Sequence, residues 1–375
     1  MTAADRDSRP RRVYIDWARG LAVLIMIEAH TFDAWTRPAD RATAAFYDAQ
    51  ILGGFAAPLF LWLAGVALVF SAGSQLRRSG SRYAAAESVC RRGLEIFILA
   101  FLFRLQAFII SPGSHPITLF RVDILNVMGP AIAFAGLVWG LFTTSAALAG
   151  AFAGLAFVIA MVAPLVRTWA FIGRLPIWVQ WNIRPAGEYT TFTAFPWTGF
   201  VFAGAALGVL LAASRDRNAE RRLHLALTLA GVLLVAVGFY TASLPSIYQQ
   251  SSFWTSSPTY FAIRIGVMLI ALSTLYAIGL AAERLGVAVA WLQRLGRSSL
   301  FVYWIHVELV YGYATWPLRH RLPLWGTGVA YVIFTVLMYY AVVGKDRIVA
   351  SHRFRQATRQ PVKSAEVSVS SRLTG

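Results

Sequence analysis

Runs of apolar residues, each close to 20 residues long, follow one another from residue 13 to about residue 344, with short polar gaps between them. A helix of about 20 apolar residues crosses the roughly 30 Å hydrocarbon core of a bilayer. The pattern therefore predicts an all-α, polytopic membrane protein with about ten transmembrane helices. The predicted spans are 13–32, 51–72, 94–111, 124–141, 145–165, 195–213, 224–240, 260–280, 298–314 and 326–343.

The composition supports lipid as the solvent of most of this chain. Hydrophobic residues make up 58% of the sequence and charged residues 14%, whereas soluble domains average roughly 45–50% and about 25%. We therefore expect one continuous membrane domain over residues 13–344. It is preceded by a cytoplasmic tail, 1–12, and followed by a polar cytoplasmic tail, 345–375, which is predicted to be disordered.

The basic residues indicate the orientation. The formal net charge of +17 comes from short clusters between the apolar runs. Most of these clusters fall on the cytoplasmic side if the N-terminus is cytoplasmic, which is the positive-inside pattern and predicts that both termini are cytoplasmic. This arrangement explains the charge without a nucleic-acid partner. Residues 283–295 are predicted to form an amphipathic helix on the inner surface.

The first predicted span carries ionisable side chains that lipid does not tolerate without a partner or a function. Arg19 and His30 are eleven residues apart, which is about three helical turns, so they share a face at a separation of about 16 Å. Asp16 is placed to pair with Arg19, whereas Glu28 and Asp33 flank His30. One helix face thus carries a cation near the inner surface and a titratable ring near the outer surface.

Other predicted spans carry polar residues at a depth comparable with that of His30. If their faces converge, the outer half of the bundle encloses a polar cavity, which we interpret as a candidate active site without a metal. The candidate catalytic residues are His30, Asp33 and His306. The candidate substrate-binding or donor-binding residues are Asp16, Arg19, Glu28, Arg104, Arg121, Asp123, Asn126, Arg264 and Glu308.

Each group also has a structural interpretation. Asp16 and Arg19 are equally well explained as an ion pair that fixes the start of the helix, and His30 as a core histidine bonded to a backbone carbonyl. Arg121 and Asp123 fit interfacial anchors. The aromatic residues of the outer loops suit either sugar binding or an interfacial aromatic belt. These are Trp169, Trp178, Trp181, Tyr189, Trp197, Tyr248, Phe253 and Trp254.

Four stretches of the sequence carry a family resemblance. They are DWARGLAVLIMIEAH, GFAAPLFLWLAGVALVF, FPWTGFVFAGAALG and LGRSSLFVYWIHVELVY, and they begin at Asp16, Gly54, Phe195 and Leu295. The chain resembles the bacterial relatives of heparan-alpha-glucosaminide N-acetyltransferase and, more distantly, the integral-membrane acyltransferases that modify cell-surface sugars. The resemblance extends over about residues 11–344. His30 fits the Arg-to-His spacing of the broader acyltransferase family.

The resemblance implies transfer of an acetyl group from cytoplasmic acetyl-CoA to a sugar or glycan acceptor on the far side of the membrane. It implies that His30 is the base or the acetyl carrier and that Arg19 and its neighbours hold the donor. The expected partners are the lipid bilayer, the acyl-CoA donor and the acceptor, and a homodimer is allowed. The expected location is the cytoplasmic membrane of a prokaryote.

Two other functions remain open on the sequence alone. One is a proton-coupled secondary transporter of an anionic solute, in which His30, Asp123 and Glu308 form a proton relay and the arginines bind the solute. The other is a non-catalytic assembly or lipid-binding component.

Overall fold

The computed structural model describes residues 12–110, 115–190 and 192–359, with side chains described as far as residue 352. Within these ranges the chain forms thirteen α-helices and no β-strand. The helices are α1 (Val13–Trp35), α2 (Ala44–Gly53), α3 (Ala56–Ser79), α4 (Arg82–Ile110), α5 (Ile124–Leu141), α6 (Ser145–Thr168), α7 (Ile177–Ile183), α8 (Ala194–Ala213), α9 (Arg217–Ala242), α10 (Pro258–Leu285), α11 (Ala290–Arg297), α12 (Ser299–Tyr311) and α13 (Leu324–Arg359).

Eight of these helices are long and apolar enough to cross a membrane: α3, α4, α5, α6, α8, α9, α10 and α13. The two other predicted spans correspond to α1, whose 23 residues include four charged ones, and to α12, which has only 13 residues. The prediction of an all-α polytopic membrane protein is confirmed.

Helix α1 lies in the middle of the bundle, where it packs against α2, α3, α10, α11, α12 and α13. Its side chains are buried around most of its circumference, including Asp16, Glu28 and Thr31. A helix that is enclosed by protein can carry ionisable groups at membrane depth because other helices, rather than lipid, surround them. The central position of α1 is therefore what permits its polar composition.

Neighbouring helices approach closely where glycines face each other. A Cβ atom on Gly93 of α4 would lie 2.6 Å from the carbonyl oxygen of Gly129 in α5, and a Cβ on Gly129 would lie 2.7 Å from the carbonyl oxygen of Gly93. Gly231 of α9 and Gly266 of α10 face each other in the same way. Without a hydrophobic effect between helices in lipid, such close backbone contact is a main source of packing energy.

The two ends of the bundle match the predicted sidedness. At the end predicted to be cytoplasmic, Arg12 binds Glu220 with an N–O distance of 2.6 Å, and the Lys345 ammonium donates to the Ser298 hydroxyl at 2.6 Å. At the opposite end, the amide of Leu322 donates to the carbonyl of Trp35 at 2.9 Å. Segments that were predicted to share a side are thus in contact. Which side is the cytoplasm stays a prediction. The end of the bundle near Arg12 is called the inner end, and the end near Trp35 the outer end.

The predicted surface helix over residues 283–295 has the wrong bounds. Helix α10 continues to Leu285 and is ended by Gly286, whose φ of 65° is in the left-handed region that glycine adopts without strain. A separate helix, α11, follows and packs against the inner end of α1. Leu295 of α11 is completely buried, and the neighbouring Gly296 abuts the backbone of Asp16. The apolar side chains of this segment are thus divided: Leu295 is buried in the bundle, whereas Trp291 is 47% exposed.

Candidate active site

A cavity of about 750 Å³ runs alongside α1. Arg19 lines one end of it and Asp33 the other, and these residues are about 21 Å apart along the helix axis. Helices α3, α4, α5, α8, α10 and α12 supply the other walls. The predicted convergence of polar faces therefore occurs, and the cavity also extends farther toward the inner end than the sequence indicated.

His30 lines this cavity and lies beside two other rings. Its ring centroid is 5.0 Å from that of His306 and 5.6 Å from that of Tyr311. The Nδ1 atom of His30 is buried and has no hydrogen-bond partner among the described residues. The core-histidine interpretation requires a hydrogen bond to a backbone carbonyl, and Nδ1 does not make one.

His306 lies behind His30 and does not line the cavity. It is completely buried, and its Nδ1 atom lies 2.9 Å from the carbonyl oxygen of Val302 and 3.0 Å from that of Tyr303. Because carbonyl oxygens only accept, Nδ1 of His306 carries the proton and a neutral ring keeps its lone pair on Nε2. This Nε2 atom also lacks a hydrogen-bond partner among the described residues.

Asp33 lies at the outer end of the cavity, three residues beyond His30 and on the same side of α1. Its carboxylate accepts a hydrogen bond from the Tyr311 hydroxyl at 2.8 Å, and a guanidinium nitrogen of Arg41 lies 3.9 Å away. The Asp33 side chain is 54% exposed. The sequence thus places a carboxylate beside the histidine, and the structure locates it at the mouth of the cavity.

Arg104 and Asp123 both line the cavity and form an ion pair with each other. Asp123 is also the N-cap of α5, where Oδ1 accepts from the Ile124 amide at 3.1 Å. Asn126 completes the capping box by accepting from the Asp123 amide at 2.9 Å. The structure thus places Asn126 in the start of α5, outside the residues that line the cavity.

The two buried glutamates lie in different places. Glu308 lines the cavity, and its Oε1 atom has no hydrogen-bond partner among the described residues. Glu28 is two residues before His30, which on a helix is a rotation of about 200°, so it points away from the cavity. A Cβ atom on Gly53 of α2 would lie 3.2 Å from Glu28 Oε2.

Arg264 enters the cavity from α10 and is 8% exposed. Its guanidinium lies 4.1 Å from the ring centroid of Tyr260 and 5.6 Å from that of Trp197. Among the described residues, no carboxylate oxygen lies within 4.0 Å of it. The cavity thus contains a buried cation that faces aromatic rings instead of an acid.

Arg19 and Arg92 line the inner end of the cavity. Arg19 lies 3.5 Å from the carboxylate of Asp16, which in turn lies 3.9 Å from Arg297 of α11. Asp16 does not line the cavity. Asp16 therefore pairs with Arg19 within α1 and also connects α1 to α11, while Arg19 faces the cavity.

The remaining predicted residues lie near the outer end. Arg121 lines the cavity just before the cap of α5. Of the loop aromatics, Trp197 lines the cavity, whereas Trp169 and Trp178 are each 59% exposed on the outside of the bundle. The exposed tryptophans fit an interfacial belt, and Trp197 fits a substrate-binding role.

Sequence reasoning missed two tyrosines of α12. Tyr303 and Tyr311 line the cavity together with Val307, and the three recur every four residues, so they form one face of that helix. Residues that titrate near neutral pH were the main candidates in the sequence, and in this helix only His306 and Glu308 were therefore named. The eight-residue spacing of the two tyrosines, which is close to two helical turns, was a signal that could have identified this face.

Comparison with known proteins shows the family of this chain. The family described as "Heparan-alpha-glucosaminide N-acetyltransferase, catalytic" matches residues 11–248, which is more than half of the chain and includes the residues that α1, α4, α5 and α8 contribute to the cavity. No curated protein matches the chain. The chain belongs to the family of the heparan-alpha-glucosaminide N-acetyltransferase catalytic domain, a family of membrane acetyltransferases.

Proposed function

We propose that this protein transfers an acetyl group from cytoplasmic acetyl-CoA to a hydroxyl or amine of a sugar or glycan on the opposite side of the membrane. The proposal treats residues 13–344 as one acyltransferase domain in the cytoplasmic membrane of a prokaryote. It rests chiefly on one observation: a single cavity is lined by Arg19 near one membrane surface and by His30 near the other.

The chemistry requires little more than the groups that line this cavity. Nε2 of His30 removes the proton from the acceptor hydroxyl or amine while the acceptor atom bonds to the thioester carbonyl carbon. The carbon–sulfur bond then breaks, and the leaving thiolate takes the proton from His30 to give the free thiol of CoA. The histidine ends neutral, so a single residue acts as base and then as acid.

His306 is suited to hold His30 in the reactive tautomer. Its Nδ1 proton is directed at the carbonyl oxygens of Val302 and Tyr303, which leaves Nε2 as an acceptor. The ring centroids are 5.0 Å apart, and a hydrogen bond from His30 Nδ1 to this acceptor would fix the tautomer of His30. His30 would then present its Nε2 lone pair to the cavity. His306 is therefore proposed as a positioning residue that does not touch the substrate.

The two ends of the cavity suit different substrates. Arg19 and Arg92 at the inner end offer guanidinium groups of the kind that bind phosphates, which CoA carries at the end opposite its thioester. Trp197, Tyr303 and Tyr311 nearer the outer end offer aromatic faces and hydroxyls, which suit a sugar ring. The acetyl group travels through the middle, where Met26, Phe60 and Leu63 make the wall apolar.

Labelled acetyl-CoA tests the proposal. The protein is reconstituted in liposomes with the labelled donor on the side of Arg19 and candidate sugar acceptors on the side of Asp33. We expect acetylated sugar on the acceptor side only when both are present. No transfer to any acceptor, together with uptake of an anionic solute, would instead support the transporter.

The role of His30 is tested with a matched histidine. His30→Ala should lower acetyl transfer by a factor of about 10² to 10⁴, the contribution of a positioned general base. His352→Ala is the control, because His352 lies exposed near the end of α13, outside the cavity. Both variants should elute as folded protein on size-exclusion chromatography. Transfer by His30→Ala at the rate of the control would rule out His30 as the base.

A further inference from the structure

The arginines that line the cavity differ in how their charge is balanced. Arg104 is paired with Asp123, Arg19 with Asp16, and Arg92 with Glu95 at 3.0 Å. Arg264 lines the same cavity with no carboxylate oxygen within 4.0 Å among the described residues. Its positive charge is therefore available to an anion that forms or binds in the cavity.

The surroundings of Arg264 hold its guanidinium in place. Its guanidinium lies against the faces of Tyr260 and Trp197, which attract a cation without neutralising it. A charge that is fixed in advance in a site of low dielectric stabilises an opposite charge more strongly than a hydrated, mobile one. Arg264 is 8% exposed, whereas the side chains of Arg19 and Arg92 at the inner end are 26% and 54% exposed. Water therefore screens the charge of Arg264 less than it screens theirs.

Two adjacent glycines connect the surroundings of this guanidinium to the helix that carries His30. A Cβ atom on Gly54 would lie 3.6 Å from Nη2 of Arg264, and a Cβ on the adjacent Gly53 would lie 2.8 Å from the Cβ of Ala29. Ala29 precedes His30, and both residues line the cavity. Arg264 therefore lies across the α2–α3 junction from the helical turn that carries His30.

We propose that Arg264 is a catalytic residue that stabilises the oxyanion formed during acetyl transfer, an inference that rests on the proposed function. When the acceptor atom adds to the thioester carbonyl, the carbonyl π electrons move onto its oxygen. The guanidinium of Arg264 donates hydrogen bonds to this oxyanion. The charge returns to the carbonyl as the carbon–sulfur bond breaks, and CoA leaves as a thiol with the proton from His30.

Hydrolysis of acetyl-CoA separates this role from recognition of an anionic acceptor. Water that attacks the thioester passes through the same oxyanion, although it carries no group for an arginine to recognise. The turnover number for hydrolysis and that for transfer to a neutral sugar are measured for the wild type, Arg264→Met and Arg264→Lys. Arg167→Met is the control, since Arg167 is bonded to Thr255 and lies outside the cavity.

Arg264→Met should lower both turnover numbers by a similar factor of about 10² to 10³, as loss of an oxyanion donor does, with little change in the KM for acetyl-CoA. Arg264→Lys should retain part of the rate because it keeps the charge. Unchanged turnover in Arg264→Met overturns the assignment, and so does a loss confined to anionic acceptors, which would make Arg264 an acceptor-binding residue. A wild type that neither transfers nor hydrolyses the acetyl group refutes the proposed function itself.

Discussion

Arg104 and Asp123 offer a quantitative test of how the cavity is held together. Their side chains are only 14% and 12% exposed, and Asp123 also caps α5. The carboxylate therefore has two separable roles, as the counter-ion of a buried guanidinium and as an acceptor for the first amides of a helix. Asp123→Asn removes the charge and keeps an acceptor oxygen, whereas Asp123→Ala removes both.

The expected magnitudes follow from these two roles. Asp123→Asn leaves a buried arginine without its counter-ion, which should lower the free energy of unfolding by about 3 kcal/mol, the lower end for broken buried pairs because the cavity admits water. Asp123→Ala should cost about 1 kcal/mol more, since the N-cap is lost as well. Arg104→Met leaves the carboxylate unpaired. The double variant Arg104→Met with Asp123→Asn removes both charges and should be more stable than the sum of the single effects predicts.

The measurement is a double-mutant cycle in mixed micelles, with unfolding by SDS followed by tryptophan fluorescence. A coupling of about 2 kcal/mol between the two positions is expected for residues in direct contact. If the single effects simply add in the double variant, the pair contributes nothing as a pair. The argument that Asp123 neutralises Arg104, and that Arg264 differs from it in this respect, would then fail.

Three further predictions concern packing, the cavity mouth and acid stability. Gly204→Leu should prevent folding because Gly204 lies against the backbone of α3. In the control Gly150→Leu, a Cβ atom at position 150 would have no neighbour within 4 Å, so this variant should express as well as the wild type. The yields after size-exclusion chromatography are compared. Tyr311→Phe should slow acetyl transfer by a few-fold through loss of the hydrogen bond to the carboxylate at the mouth, and an unchanged rate would contradict this. The hydrogen bond from Arg37 lowers the pKa of the Asp40 carboxyl below its usual value near 3.8. The ionised carboxylate therefore stabilises the folded protein fully above that pH, and this stabilisation is lost as the pH falls through the lowered pKa. Thermal unfolding should show a smaller loss of stability on acidification for Asp40→Asn than for the wild type.

The positions of the long helices could be predicted because apolar runs of membrane length are a strong signal, whereas the short helices α2, α7 and α11 were not predicted. Each predicted span has its helix, although α4 begins at Arg82, twelve residues before the predicted start. The error has a physical cause, since hydropathy locates the lipid-embedded part and a helix continues into water wherever its backbone bonds are satisfied. The short α12 was found from its apolar run rather than its length.

The candidate site could be predicted only where helical geometry fixes the direction in which the side chains point. Arg19, His30 and Asp33 share a face of α1, and all three line the cavity. Glu28 was selected for its proximity in sequence to His30, but the rotation between them directs it elsewhere. Asn126 was selected for its polarity, and the structure uses it in a capping box. The position of Arg264 relative to α1 depends on the distances between helices, and no local sequence pattern encodes those distances.

The donor end and the reactive end of the cavity are both formed in part by the central helix α1. Arg19 and His30 are carried by the same rigid element about 16 Å apart, so a change at one does not need to move the other. Loss of Arg19 should therefore weaken donor binding and raise the KM for acetyl-CoA, whereas loss of His30 should lower turnover at saturating donor. If both variants instead lost turnover and donor affinity together, α1 would act as a single structural support, and the division of the cavity into a donor end and a reactive end would be refuted.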